Sequence, residues 1–191
     1  GSAASRAIVY GGGIVSGNGR VGGLHVRRDG IVSPGNSIGT LTVAKSDAAG
    51  TGNAVFEPHS RLAIEIDGQG HHDVLKVENE AQIHGGVVDV GIGSLSRPQL
   101  AQQVRQSTHK PYAILTAGAG VTGTFDQARL DMDLPFIAAG LRYSSQTVGL
   151  TLGRNNLAFY DVGQTHNQKQ IGSGIESLTP GLPLYDALLT S

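Results

Sequence analysis

Residues 60–91 read SRLAIEIDGQGHHDVLKVENEAQIHGGVVDVG and contain four short apolar runs separated by turns. Within each run, apolar residues alternate with polar or small ones, which is the period-two pattern of a β-strand with one buried face. The turns are rich in Gly, Asn and Asp, residues that tolerate positive φ. This stretch predicts an all-β fold. The residues expected to face the core are Leu62, Ile64, Ile66, Leu75, Val77, Ala81, Ile83, Val88 and Val90.

Very short strands at even spacing are typical of sandwiches and barrels, and also of β-helical solenoids. The runs here are shorter than the usual strand of about 5–6 residues. Two-residue hairpin signals occur at Asn18-Gly19 and Asp29-Gly30, and neither is flanked by clean alternation on both sides. We therefore predict a right-handed parallel β-helix with C-terminal capping strands and a short helical exit segment. A β-sandwich is the alternative.

The composition excludes several classes of function. The 191 residues carry a formal net charge of -1 and include 29 Gly, no Cys and no Trp. Nucleic-acid binding requires a basic patch or stripe, and anionic membrane surfaces attract polybasic segments, neither of which is visible. No stretch approaches the ~20 apolar residues of a membrane helix. The lack of cysteine is compatible with passage of an unfolded chain through a narrow pore.

Two segments depart from the strand pattern. Leu95–Lys110 is polar and Gln-rich, with Leu100 and Val104 at helical spacing, so we predict a loop with a short helix that protrudes from the stack. Helical character returns at Asn167–Leu178 and Leu184–Leu189. The last strands are expected at Leu141–Tyr143, Thr147–Leu152 and Leu157–Phe159.

Two motifs resemble signatures of functional sites, but the residues around them do not fit those sites. Gly118–Gly123 reads GAGVTG, a literal G-x-G-x-x-G, yet a dinucleotide site needs a helix to follow, and residues 124–135 do not form a helical pattern. We interpret it as a Gly-rich turn between rungs. His71, His72 and Asp73 are consecutive, so neighbouring side chains on a strand would point to opposite faces. The sequence therefore predicts no catalytic, cofactor-binding or metal-ligating residue, no cofactor and no enzymatic activity.

A family resemblance begins at residues 30–43, GIVSPGNSIGTLTV. This stretch resembles the signature of the passenger-associated repeat in Gram-negative autotransporters. The resemblance extends from about Gly30 to the end of the chain, with the motifs in family order. The Leu95–Lys110 insert is longer than expected for the family. The further matching segments are Arg61–Ile66, Gly70–Val77, Tyr112–Ala117, Gly123–Phe125, Tyr143, Leu150–Leu152, Arg154-Asn155, Asn167-Gln168 and Leu184–Leu189.

The resemblance implies a β-helical passenger stem exported by type V secretion to the cell surface. It also implies an autochaperone role, in which the stem promotes folding and export of the upstream passenger. The partners would be the upstream passenger and a downstream outer-membrane β-barrel of the same polypeptide, with no nucleic acid and a monomeric state. The expected layout is a tail and expression-tag remnant at 1–5, rungs at 6–110, an autochaperone-like segment at 111–165 and a linker at 166–191.

Two other functions stay open at this point. The β-helix could be an adhesin that contacts host or neighbouring-cell surfaces, with Leu95–Lys110 as the contact. It could also be a polysaccharide-active enzyme, which would need carboxylates clustered with Arg or Lys in a groove. No such cluster is visible in the sequence.

Overall fold

The computed structural model describes residues 5–45 and 51–191. The expression-tag prediction for Gly1-Ser2 lies outside these residues. The first rung contains β1 (Arg6–Val9), β2 (Ile14–Gly17) and β3 (Arg20–Val21), and the second contains β4 (Gly23–Val26), β5 (Ile31–Pro34) and β6 (Thr40–Val43). The third contains β7 (Ala54–Phe56), β8 (Arg61–Glu65) and β9 (Val74–Val77), and the fourth contains β10 (Glu80–Ile83), β11 (Val87–Gly91) and β12 (Tyr112–Ala117).

The chain ends in strands and helices that close the stack. The last rung begins with β13 (Gly120–Gly123) and β14 (Gln127–Leu130), followed by a hairpin of β15 (Ile137–Tyr143) and β16 (Thr147–Arg154). Helix α1 (Arg97–His109) is inserted between β11 and β12, and α2 (His166–Glu176) and α3 (Pro183–Leu189) follow the hairpin. Helix therefore occurs in the two regions where the sequence predicts it.

The strands form three sheets that run along the stack. Their orders are β1-β4-β7-β10-β13, β2-β5-β8-β11-β14 and β3-β6-β9-β12-β16-β15. Pairings between successive rungs are parallel, and the described strands pair antiparallel where β16 meets β12 and β15. A sandwich of antiparallel hairpins would show the opposite pattern. The predicted all-β parallel β-helix with capping strands is confirmed.

The interior is a stack of apolar side chains in register. One column runs Leu24, Ala54, Ala81, and another runs Leu41, Leu75, Leu115. All nine residues expected from the alternation are at most 2% exposed. Because each inward side chain lies over its equivalent in the next rung, Val, Ile, Leu and Ala fill most of the narrow interior. The exception is Phe56, which is 0% exposed and contacts Phe125 edge to face at 5.1 Å.

Side-chain acceptors hold the corners of the stack. The buried Asp73 carboxylate accepts from Gly39 N at 2.7 Å and from Glu65 N at 2.9 Å, so it joins two rungs. Gly35, with φ +87°, must be glycine because a Cβ there would lie 2.7 Å from Asp73 Oδ1. The SPGNSIG stretch therefore forms the corner that packs against the Asp73 carboxylate. Other acceptors of backbone N–H groups at corners are Asn18, Asn53, Asp126 and Asp131.

We expect Asp73 to be required for stability. Asp73→Ala leaves the part-buried N–H groups of Gly39 and Glu65 without this acceptor, at a cost of about 2–5 kcal/mol. Asp73→Asn keeps the shape but turns an NH2 group toward one donor, so it should also destabilise, by about 1–3 kcal/mol. Urea unfolding measures both changes, with the exposed Asp133→Asn as the matched control. Equal midpoints for the Asp73 and Asp133 variants would show that the buried carboxylate is dispensable.

The helix predicted within Leu95–Lys110 is confirmed, but the prediction that this insert protrudes from the stack is wrong. It forms the 13-residue helix α1, which packs against β16. Leu100, Ala101 and Val104 are buried, and so are the polar Gln103 and Ser107. Ser107 Oγ both donates to Leu152 O (3.0 Å) and accepts from Leu152 N (2.9 Å). The helix is held because its buried polar groups find partners, which offsets the desolvation of a Gln-rich sequence.

The strand expected at Leu157–Phe159 is also absent, although the strands expected around 141–143 and 147–152 are confirmed. In this segment the backbone N–H groups donate to side chains instead of to a neighbouring strand. Leu157 N donates to Asn155 Oδ1 and Phe159 N donates to Glu176 Oε2. Phe159 is buried, as the alternation suggested, but in an aromatic cluster described below.

Candidate functional site: a closed C-terminal end and an open N-terminal end

The C-terminal end of the β-helix is closed by the β15–β16 hairpin. Strand β16 pairs with β12 on one side and with β15 on the other, which continues the third sheet by two antiparallel strands. The turn of the hairpin reaches over the last rung, where Ser145 O accepts from Val121 N at 2.9 Å. Tyr143 Oη accepts from Phe125 N at 2.9 Å. The hairpin thus covers the end of the third sheet and part of the last rung. Strands β13 and β14 remain the end strands of the first and second sheets, and their inward side chains Val121, Ala128 and Leu130 are only partly buried.

An aromatic cluster joins the exit helices to this cap. Phe159 contacts Phe136 and Tyr185 edge to face, with ring centroids 4.7 Å and 5.3 Å apart. Arg154 at the end of β16 lies over the Phe159 ring, 4.3 Å from its centroid. The same guanidinium pairs with Glu176 at the end of α2, at 2.7 Å and 2.9 Å. The bidentate geometry and the stacked ring fix α2 against the cap.

Helix α3 is attached through the insert. Asp186 pairs with Arg105 of α1, and Tyr185 and Leu189 are buried. The segment at 166–191 therefore packs as part of the cap. The N-terminus of α2 has a capping box, in which Thr165 Oγ1 accepts from Gln168 N and Gln168 Oε1 accepts from Thr165 N.

Acid should loosen α2 before it loosens the rungs. The Arg154 guanidinium, together with Phe159 N, lowers the pKa of Glu176 below its usual value of 4.5. A carboxylate whose folded pKa is lowered contributes stability that is present above the unfolded pKa and is lost as pH falls through the folded pKa. We expect the hydrogen-exchange protection factors of α2 amides, referred to the intrinsic rate at each pH, to fall below about pH 4.5, while amides of β8 stay protected. Glu176→Gln should show the loosened exchange at neutral pH with a flat pH response. A pH response of α2 that is unchanged in Glu176→Gln would assign it to another group.

The N-terminal end of the stack is open. Strands β1, β2 and β3 each have one neighbouring strand among the described residues, on the side of the second rung. Of their inward side chains, Val9 is 3% exposed and Ala7, Val15 and Val21 are only partly buried. Their partners one rung deeper, Val26, Leu24, Val32 and Val43, are at most 2% exposed. Among the residues that the structure describes, the outer edges of β1, β2 and β3 therefore have no strand partner, and the first rung is less buried than the second.

The structure separates the motifs that the sequence singled out. His71 is exposed and pairs with Asp67 at 2.8 Å, while His72 stacks against Tyr112 and Asp73 turns into the corner. Over residues 5–45 and 51–191, no group of three or more His, Cys, Asp or Glu side chains could hold a metal ion. In Gly118–Gly123, a Cβ on Gly118 would lie 2.6 Å from Glu78 O, so these glycines allow close stacking of rungs.

Two features of this end were missed by the sequence patterns: the Arg154–Glu176 pair and the buried Gln103. Arg154 and Glu176 are 22 residues apart, and no periodicity connects them. In the part of the chain that the structure describes, no helix is long and apolar enough to cross a membrane.

The fold and its ends define a class of protein, a capped parallel β-helix. No protein-family model matches the chain. Among curated proteins, an extracellular serine protease of Serratia marcescens is 35% identical over 197 residues, covering 97% of this chain and 17% of the relative. A second extracellular serine protease of the same organism is 29% identical over 134 residues, covering 70% of this chain and 12% of the relative. The chain thus spans less than a fifth of the length of these relatives.

Proposed function

We propose that this chain is the C-terminal stem of an autotransporter passenger, displayed outside a Gram-negative cell, and that it promotes folding and export of the passenger upstream. Three observations support the proposal. The SPGNSIG motif series resembles passenger-associated repeats, the fold is a parallel β-helix, and the similar proteins are extracellular. The partners would be the upstream passenger and an outer-membrane barrel on the same polypeptide, with the stem acting as a monomer.

The observation that carries the proposal is the difference between the two ends. A solenoid is quasi-one-dimensional, so folding can start at one end and propagate rung by rung. At the C-terminal end the third sheet is continued by an antiparallel hairpin, which is packed with helices and an aromatic cluster, so this side of the last rung supplies a folded boundary. Within residues 5–45 and 51–191, β1, β2 and β3 each have a strand neighbour on one side, so an upstream rung would gain backbone and apolar partners on the other.

We propose no catalytic role for this segment. The similar proteins are named as serine proteases, and this chain covers 17% of the first and 12% of the second. Nucleophilic catalysis by serine needs a base within hydrogen-bonding reach. Throughout the described ranges, no serine hydroxyl forms a hydrogen bond with a histidine, and the histidines that bond to carboxylates are His25 and His71. An activity of the whole protein would then reside upstream.

The experiment that tests the proposal deletes residues 134–152 from the full-length protein. Without the hairpin, the upstream passenger should be protease-sensitive at the cell surface or poorly exported. Unchanged export and protease resistance would reject the folding role and leave a passive stem. The adhesin alternative relied on Leu95–Lys110 as a protruding contact. This segment is instead a helix packed against β16, so it no longer favours that alternative.

A further inference from the structure

A groove of about 720 Å³ lies between the insert helix and the side of the β-helix. One wall is the last turn of α1, with Arg105, His109 and Lys110, and the opposite wall is the turn that ends at His72. Pro111 and Ala113 line its floor at the start of β12. Insertions in solenoids commonly map to a binding face, and clefts of about 300–1,000 Å³ with a mostly apolar lining are typical of small-molecule sites.

A buried polar network fixes the two walls relative to each other. Gln103 of α1 is 0% exposed, donates to Gly68 O at 3.2 Å and accepts from the hydroxyl of Tyr112. Burial raises the pKa of Tyr112 to about 12, so its hydroxyl stays protonated and remains a donor. Gly70, with φ +86°, allows the close approach, since a Cβ there would lie 3.0 Å from Gln103 Oε1. A fully satisfied buried network of this kind holds a site in one geometry.

The chemistry of the lining points to a small amphipathic anion. The His72 ring contacts the Tyr112 ring at a tilt of 52°, with centroids 5.1 Å apart, and together with the floor it offers an apolar surface. The ionisable groups of the lining are the cation Lys110, the cation Arg105, the two histidines and the neutral Tyr112, with no carboxylate among them. Arg105 is paired with Asp186, whereas Lys110 forms no ion pair within 5–45 and 51–191. Lys110 is therefore the cation available to a ligand.

We propose that this groove binds small organic anions that combine an apolar body with one carboxylate or sulfonate. The apolar body lies on Pro111, Ala113 and the His72 ring, and the anionic group lies at Lys110 and His109. The C-terminal carbonyls of α1 point toward the same rim and weaken the attraction for an anion. We therefore expect a dissociation constant of the order of tens of micromolar, as is usual for a drug-sized ligand of ordinary efficiency. The proposal is independent of the export role.

The test titrates the purified chain with 1-anilinonaphthalene-8-sulfonate, an aromatic sulfonate whose fluorescence rises on binding. Saturable binding should shift NMR amide signals of residues 69–72 and 109–113. Lys110→Glu should weaken binding about tenfold through charge reversal near the anion. Lys169→Glu makes the same charge change on α2, outside the groove, and should leave the dissociation constant within about twofold. N-phenyl-1-naphthylamine, which lacks the sulfonate, should bind more weakly.

A second variant keeps the test decisive if Lys110→Glu fails to fold. Ala113→Trp fills the floor of the groove and should abolish the probe's binding, while circular dichroism and thermal unfolding report an intact fold. No saturable binding by the native chain would overturn the proposal, and so would full-strength binding by a folded Ala113→Trp variant. Equal weakening by Lys110→Glu and Lys169→Glu would overturn the assignment of the anionic group to this rim.

Discussion

Leu75→Asp should prevent stable folding of the chain. Leu75 is 0% exposed in the column formed with Leu41 and Leu115, so the substitution removes apolar contacts and places a carboxylate in a dry interior. We expect a loss of more than about 4 kcal/mol in the free energy of unfolding, because no partner is available to the buried charge. Ile64→Asp, at 1% exposure, should behave in the same way. Urea unfolding followed by circular dichroism measures the effect.

The outward neighbours of these residues are the matched controls. Glu65 and Lys76 are exposed on the same two strands, β8 and β9. Glu65→Ala and Lys76→Ala should change the free energy of unfolding by no more than about 0.5 kcal/mol. A one-residue slip of register would move every side chain to the other face. Large losses in the controls with small losses in the Asp variants would therefore mean that the faces are inverted.

The second large effect is expected in the full-length protein. Leu150 lies on β16, one strand of the hairpin, and is 0% exposed. Ala138 lies on the other strand, β15, and is exposed. Leu150→Asp should open the cap and leave the upstream rungs without a folded boundary, so the amount of protease-resistant passenger at the surface should fall severalfold. Ala138→Asp adds the same charge on the outside and should leave it unchanged. Surface labelling and immunoblotting of total protein separate loss of export from loss of folding.

The repeated part of this fold could be predicted from sequence because it depends on local pattern. In residues 60–91 each inward position is apolar and each turn has residues suited to positive φ, so the alternation alone identifies the buried face. Parallel stacking followed from the shortness of the runs. The role of Asp73 could not be derived in this way, since its partners Gly39 and Glu65 belong to two different rungs.

The cap was less predictable because its contacts are long-range and partly polar. The Gln-rich insert was interpreted as protruding, yet Gln103 and Ser107 are buried, since Gly68 and Leu152 supply their hydrogen-bond partners. Polarity in a sequence indicates exposure only when such partners are absent. For the same reason, Phe159 was placed in a strand, although the acceptor for its N–H is Glu176.

The export role is tested most directly by limited proteolysis of the passenger displayed on cells, with the wild-type and Leu150→Asp caps compared at equal surface amounts. The asymmetry of the two ends predicts that the wild-type passenger resists digestion as a single large fragment. With the opened cap, digestion should proceed through the upstream rungs. Identical resistance of the two passengers would contradict the role of the C-terminal cap as the folding boundary of the β-helix.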